Sequence, residues 1–161
     1  MKTIPLTQGK AALVDDEDYE WLSQHKWCAV KCPTGWYAMR GVHKDSKCTG
    51  VRMHREILKP PAGMETDHVD GDGLNNQRYN LRAATHAQNG RNRRKQKRKA
   101  TSQFKGVSRS WHEAGWTAQI VVKNQYIYLG YFGSEIEAAK EYDVAARKYF
   151  GEFANTNFIL T

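Results

Sequence analysis

The stretch METDHVDGDGLNNQRYNLRAATHAQNGR, residues 64–91, decides the fold. Its opening, Glu65 to Val69, alternates weakly as a strand does and then breaks at Asp70-Gly71-Asp72-Gly73, a cluster of turn formers. Leu81 to Ala84 reads as a second short strand, and Thr85-x-x-Gln88 is the capping-box pattern that starts a helix. The predicted order is strand, loop, strand, helix. Asn89 falls just past the first helical turn, on a rigid element that can face back toward the first strand.

Chemistry-bearing residues recur through this stretch: Asp67-His68, then Asn80 thirteen residues after Asp67, then Asn89 nine further on. A phosphodiester is stable because its oxygens repel nucleophiles, so hydrolysis needs a base to activate water and a cation to absorb developing charge. Histidine suits the first task, since its ordinary pKa of about 6.5 lies near working pH; His68 is the candidate. Hard oxygen donors suit the second, and Asp67 with the Asn89 carbonyl supplies so few protein ligands that Mg²⁺ or Mn²⁺ is implied. Asn80 is expected to bond the His68 ring and fix which nitrogen faces water. Neighbours on a regular strand point to opposite faces, so Asp67 and His68 meet only if the strand ends there, which the Gly71 and Gly73 loop makes feasible. Asp70, Asp72 and Asn75 suggest a calcium loop, but without a later bidentate glutamate they read as turn chemistry.

Outward from this centre, charge is segregated. Residues 73–112 carry 11 Lys/Arg and no acid, against 10 and 11 in residues 1–72 and 4 and 6 in residues 113–161. Seven of the nine positions from Arg91 to Lys99 are basic, the footprint of a polyanion contact. Neutralising about 7 phosphates predicts a log-log salt slope of about −6. No apolar run spans a bilayer and no leader or lipidation signal is evident, so no membrane partner is expected. Cys28, Cys32 and Cys48 are an odd number, pointing to idle thiols in a reducing compartment; with His43 or His54 they would make a loosely spaced zinc site. His54 itself reads as a packed or hydrogen-bonded histidine.

Residues 1–57 predict short strands around Ile4 and Leu6, at Ala11 to Val14, Trp36 to Met39 and Val51 to Met53, with a short helix within Asp15 to Trp27 begun by Asp15 or Asp16. Beyond Phe104-Lys105-Gly106-Val107, the alternation of Trp116 to Val122 and of Tyr126 to Phe132 predicts strands joined by a turn at Lys123-Asn124-Gln125. Ser134-x-x-Glu137 then opens a helix whose Ala138, Tyr142, Ala145 and Tyr149 face a small core. Three strands and one helix fit this segment.

The motif Asp67-His68-x-Asp70-Gly71-x-Gly73-Leu74-x-Asn76-x-Arg78-x-Asn80-Leu81-Arg82-x-Ala84-Thr85-x-x-Gln88-Asn89 resembles the HNH homing endonucleases of phages and organelle introns. The resemblance implies the ββα-metal fold, His68 as general base, Asp67 and Asn89 as metal ligands, and Asn80 in the middle position. The chain departs from the name pattern at Asn89, where many members carry histidine. Residues 104–158 resemble the Apetala-type ethylene-response-factor DNA-binding domain through Lys105-Gly106-Val107, Trp116-x-Ala118-x-Ile120, Leu129-Gly130-x-Phe132, Ala138-Ala139, Tyr142-Asp143-x-Ala145-Ala146 and Phe150-Gly151-x-Phe153-Ala154-x-x-Asn157. That likeness implies a three-stranded sheet whose exposed face enters the major groove. Residues 1–60 look like the lead-in of phage members.

The expectation is therefore an α+β chain. Residues 1–95 form a nuclease domain, 96–102 a basic linker, and 103–161 a DNA-reading domain. It would act as a metal-dependent endonuclease on double-stranded DNA, leaving 3′-hydroxyl and 5′-phosphate ends, without a small-molecule cofactor, as a nicking monomer in the cytoplasm of a host cell. Arg78, Arg82, Arg91, Arg93, Arg94, Lys95, Lys97 and Arg98 are the expected phosphate contacts, with Lys105 beside them. Arg109 is expected to reach guanine, Gln119 to pair adenine, and Trp111 or Tyr128 to pack on sugar or thymine methyl. The competing expectations are a non-catalytic DNA-binding regulator with a decayed centre and a zinc-stabilised module.

Overall fold

Short apolar runs broken by glycine and proline make short strands, and the computed structural model, which describes residues 1–44, 47–92, 101–112 and 114–158, bears this out. Among the described residues the fold is mixed, with four small antiparallel sheets and few helices. Two compact units divide the chain at Asn89 and Gly90.

In the first unit, β1 (Lys2–Pro5) and β2 (Ala11–Val14) form a hairpin, followed by α1 (Asp16–Leu22). The helix is short, as expected, and beyond it Trp27 folds back, its indole donating to the Leu22 carbonyl at 2.8 Å. Asp15 occupies the cap position without capping. Its carboxylate accepts from Gln77 Nε2 at 3.1 Å and from the Arg78 N–H at 2.7 Å, a tertiary duty that local pattern cannot foretell. A three-stranded sheet follows, β3 (Cys28–Cys32), β4 (Gly35–Lys44) and β5 (Lys47–Arg52), with β4 central. Then come α2 (Met53–Leu58), β6 (Glu65–His68), β7 (Leu81–Ala84) and α3 (His86–Arg91). The expected capping box closes α3: Gln88 N–H donates to Thr85 Oγ1 at 3.3 Å, and Gln88 Oε1 accepts from the Thr85 N–H at 2.8 Å.

One core joins β1, β2, α1, β4, α2 and β7. Ile4, Val14, Leu22, Trp27, Ala38, Met53, Ile57 and Leu81 belong to a single buried cluster, so residues 1–60 form a platform that shares its core with the β6–β7 hairpin. The platform also grips the loop between those strands: Leu13 N–H donates to the Leu74 carbonyl at 2.9 Å, and Asn76 N–H to the Leu13 carbonyl at 2.8 Å.

The second unit has β8 (Val107–Arg109), β9 (Trp116–Val122) and β10 (Gln125–Phe132) in an antiparallel sheet with β9 central, packed on α4 (Glu135–Phe150). Lys123 and Asn124 both have positive φ, 50° and 63°, the two-residue hairpin turn whose twist matches the strands. Ser134 caps α4 by accepting from the Ile136 N–H at 3.2 Å. At Gly106, with φ +74°, a Cβ would lie 1.9 Å from the Tyr142 ring, so only glycine permits that approach. The Asp143 carboxylate accepts from the Asn157 and Phe158 N–H groups at 2.8 and 2.9 Å, and the Asn157 amide pairs with the Lys105 backbone, tying both ends of the unit to α4. No helix among the described residues is long and apolar enough to cross a membrane.

Candidate functional site

Alternation along β6 sets Glu65 and Asp67 on one face and Thr66 and His68 on the other. Asp67 stands opposite Arg82 in register, and the guanidinium donates to its Oδ2 from Nε at 2.9 Å and from Nη2 at 2.7 Å. This pair is well buried, with the two side chains 5% and 15% exposed, so geometry matters more than it would on the surface. Glu65 accepts from Asn89 Nδ2 through Oε2 and lies 2.8 Å from His86 Nδ1 through Oε1. Asn89 therefore overlies the face that carries both carboxylates.

On the opposite face His68 is 5% exposed and meets the rings of His54 and Tyr37 edge-on, at centroid distances of 4.9 and 5.9 Å. Its Nε2 is 3.5 Å from Asn76 Oδ1. The Asn76 amide cannot be turned without loss, because its Nδ2 donates to the Leu74 carbonyl at 3.1 Å. A carbonyl oxygen facing Nε2 calls for the ring proton there, leaving Nδ1 as the lone-pair nitrogen of the neutral ring. Burial lowers the pKa of His68, opposed by the Asn76 contact and by Asp70, Asp67 and Asp72. His54 is pushed down to about 3 by burial, then by the charges of His68, Arg52 and Arg55. Its Nδ1, like Thr66 Oγ1, is buried without a hydrogen-bond partner among the described residues.

Asn80 does not serve the ring. Its Oδ1 accepts from the Asp70 N–H at 3.0 Å, and its Nδ2 donates to Asp70 Oδ1 at 3.0 Å and to the Asn75 carbonyl at 2.8 Å, so it staples the loop. The ring partner is Asn76, a correction whose reason is the loop's path: it returns over β4 and brings Asn76 under His68. At Gly73 a Cβ would lie 2.4 Å from the Trp36 carbonyl and 2.5 Å from the Tyr37 ring, so the loop rests directly on β4. Asp70 and Asp72 accept from N–H groups two residues on, at 2.8 and 3.0 Å, which is turn chemistry as expected. Burial pushes the Asp70 carboxyl up, but bonds from the Asp72 N–H, Asn75 and Asn80, and nearby His68, hold it below the usual range.

Other expected contacts have structural duties. Arg78 is paired with Asp18 at 2.7 Å and Glu17 at 2.6 Å, and Arg82 with Asp67, so both guanidinium groups answer carboxylates of their own unit. Within the second unit, Arg91 lies 4.8 Å over the Phe150 ring, and Lys105 Nζ donates to the Arg91 carbonyl at 2.6 Å, its pKa lowered to about 8 by burial. Arg93, Arg94, Lys95, Lys97 and Arg98 lie outside the described residues. Trp111, Gln119 and Tyr128 are exposed, whereas Arg109, also exposed, shares strand parity with inward Val107 and so starts from the face opposite Gln119.

Cys28 and Cys32 are four residues apart on one strand, about 13 Å, too far to share a zinc ion. Among the described residues no cluster of three or more His, Cys, Asp or Glu is arranged to hold a metal. Sequence reasoning missed Asn76, Glu65 and the His54 to His68 contact. Glu65 alone was findable, because period two puts it on the Asp67 face.

Residues 59–91 match the family model described as HNH endonuclease. An Acanthamoeba polyphaga mimivirus protein described as an uncharacterized HNH endonuclease is 32% identical over 148 residues, covering 88% of this chain and 75% of that protein. Two Arabidopsis thaliana proteins, the ethylene-responsive transcription factor WRI1 and the AP2-like ethylene-responsive transcription factor ANT, are 44% and 45% identical over 62 and 65 residues. These matches span 37% and 39% of this chain but only 14% and 12% of those factors, so this likeness is to one segment of each. With a relative matched along most of both lengths, and a family model lying on the stretch that holds Asp67, His68, Asn80 and Asn89, the chain belongs to the HNH endonuclease family.

Proposed function

We propose that the chain is a divalent-metal-dependent DNA endonuclease in which β6, β7 and α3 form the ββα-metal unit and the second unit reads DNA. The observation that carries this reading is the end of β6, where His68 is the last residue of the strand and its ring lies near enough to Asp67 to feel that carboxylate's charge, with Asn89 of α3 bonded to Glu65 at the strand's start. In it His68 is the general base. Burial favours its neutral form, Asn76 holds the proton on Nε2, and Nδ1 accepts the proton of the water that attacks phosphorus in line.

The oxygen donors beside it fit Mg²⁺ or Mn²⁺, since all are hard: the Asp67 carboxylate and Asn89 Oδ1, which accepts no hydrogen bond among the described residues, with Glu65 on the same strand. When bound, such a cation neutralises charge on the phosphate and its leaving oxygen. Arg82 orients the Asp67 carboxylate. The nuclease domain is assigned to residues 1–95, the basic joint to 96–102 and the reading domain to 103–161. Double-stranded DNA as the partner is supported by the basic segment and by the words transcription factor in the names of the AP2-like relatives.

Nicking of supercoiled plasmid in Mg²⁺, Mn²⁺ or EDTA tests the proposal. Wild type should cut only with the divalent ion, and His68→Ala should lose about 100-fold or more in rate while binding DNA in EDTA as before. Stable binding by wild type without any ion-dependent product would replace this reading with a non-catalytic regulator.

A further inference from the structure

A carboxamide has a requirement that a carboxylate does not. Its two ends have nearly the same shape, yet only the oxygen can meet a cation, and a half-turn about the last side-chain bond exchanges them. The backbone leaves that turn undecided for Asn89: its N–H donates to the Thr85 carbonyl at 2.9 Å, which holds the residue in α3 but not its amide. The carboxylate of Glu65 decides it. Oε2 accepts from Asn89 Nδ2, and since a carboxylate only accepts, the half-turn would bring two acceptor oxygens together and lose a charge-assisted bond. Asn89 Oδ1 accepts no hydrogen bond among the described residues.

We propose that Glu65 is a positioning residue for Asn89, holding the amide so that Oδ1 is the end presented to a divalent cation. The proposal rests on the reading of Asn89 as a metal ligand and deepens it. Glu65 stands two residues before Asp67 on β6, and its second oxygen, Oε1, lies 2.8 Å from His86 Nδ1. His86 and Asn89 are three apart on α3, the spacing that sets two side chains on one side of a helix, so one carboxylate reaches both. Each oxygen of Glu65 therefore has a partner already, and the Asn89 oxygen is the better placed to take a cation. His86 is 81% exposed, so its contact adds little, and the orienting bond is the one to Asn89.

Mn²⁺ titration of the full chain without DNA, followed by water-proton relaxation, tests this apart from cutting. Glu65→Gln and Glu65→Ala both remove the negative charge and differ in the acceptor left for Asn89, so their ratio isolates orientation. Glu65→Gln should bind Mn²⁺ about 10-fold more tightly than Glu65→Ala. Combined with Asn89→Asp, whose carboxylate presents oxygen either way round, the same two variants should agree within about 2-fold. Without metal, one Asn89 Nδ2 proton should resonate downfield in wild type and in Glu65→Gln but not in Glu65→Ala. Equal Mn²⁺ affinities for the two variants beside native Asn89 would overturn the proposal and leave Glu65 acting by charge alone. A difference that persists with Asn89→Asp would also overturn it, by making the side chain at position 65 a direct ligand. Mn²⁺ binding absent from wild type, or undiminished in Asn89→Ala, would sink the metal reading beneath and the proposal with it.

Discussion

In the proposed mechanism His68 can take a proton only onto the nitrogen that keeps its lone pair, and Asn76, facing Nε2, sets which one that is. Asn76→Leu should therefore lower the nicking rate about 10-fold with little change in DNA affinity, the usual scale for a group that orients another. Ring ¹⁵N spectra at pH 8 provide the direct check: wild-type His68 should be protonated at Nε2, and the variant should show mixed protonation. An unmixed spectrum with an unchanged rate would remove Asn76 from the mechanism. His54 supplies a different test, because its folded pKa of about 3 lies below its ordinary 6.5. Between those values the unfolded chain binds a proton that the folded chain refuses. Stability is thus fully present above about 6.5 and is lost as pH falls, with a slope of up to about 1.4 kcal/mol per pH unit. His54→Phe keeps a ring against Tyr37 and His68 and should flatten that slope in denaturant titrations between about pH 6.5 and 4. An equal slope in both proteins would show that other groups set the acid limb.

At the scale of elements, the loop between β6 and β7 is held from three sides, by Asn80 within, by β2 at Leu13 and by β4 beneath Gly73. A single methyl at Gly73 has nowhere to go. Gly73→Ala should cost about 1 to 3 kcal/mol in urea melts and, by displacing Tyr37, should reduce nicking more than binding. The Thr85 and Gln88 box and the Ser134 cap were readable because capping needs particular residues at fixed offsets. Ser134→Ala should lower stability by about 1 kcal/mol without touching catalysis. The end of α1 was not readable in this way, since Ser23 to Lys26 contain no glycine or proline to mark it. Nor was the duty of Asp15, which looks like a cap in sequence yet is bonded to Gln77 and Arg78, some sixty positions away.

Across the whole molecule, positive charge is segregated while the carboxylates near the centre are answered locally. Arg78 and Arg82 are occupied by Asp18, Glu17 and Asp67, so on the proposed reading phosphate contact would fall mainly to the basic run that begins after them in sequence. The chain should show a log-log salt slope of about −6, and replacing Arg93, Arg94 and Lys95 together by alanine should reduce its magnitude by about 3. A slope unchanged in filter-binding across 50 to 300 mM salt would mean that those three residues contact no phosphate.

The sequence by itself determined the strand, loop, strand, helix order around His68, the separate three-stranded unit with its helix, and the chemistry on offer from Asp67, His68 and Asn89. Those features are local: period-two alternation, caps at fixed spacing and turn residues act over a few positions, and a side chain's chemistry travels with it. Only the tertiary structure decided that Asn76 rather than Asn80 meets His68, that the His54 ring packs against it, that Asn89 bonds Glu65, and that residues 1–60 share a core with the hairpin. Each of these depends on which distant backbone a loop is laid against, and that is set by burial of the common core rather than by any short stretch of chain.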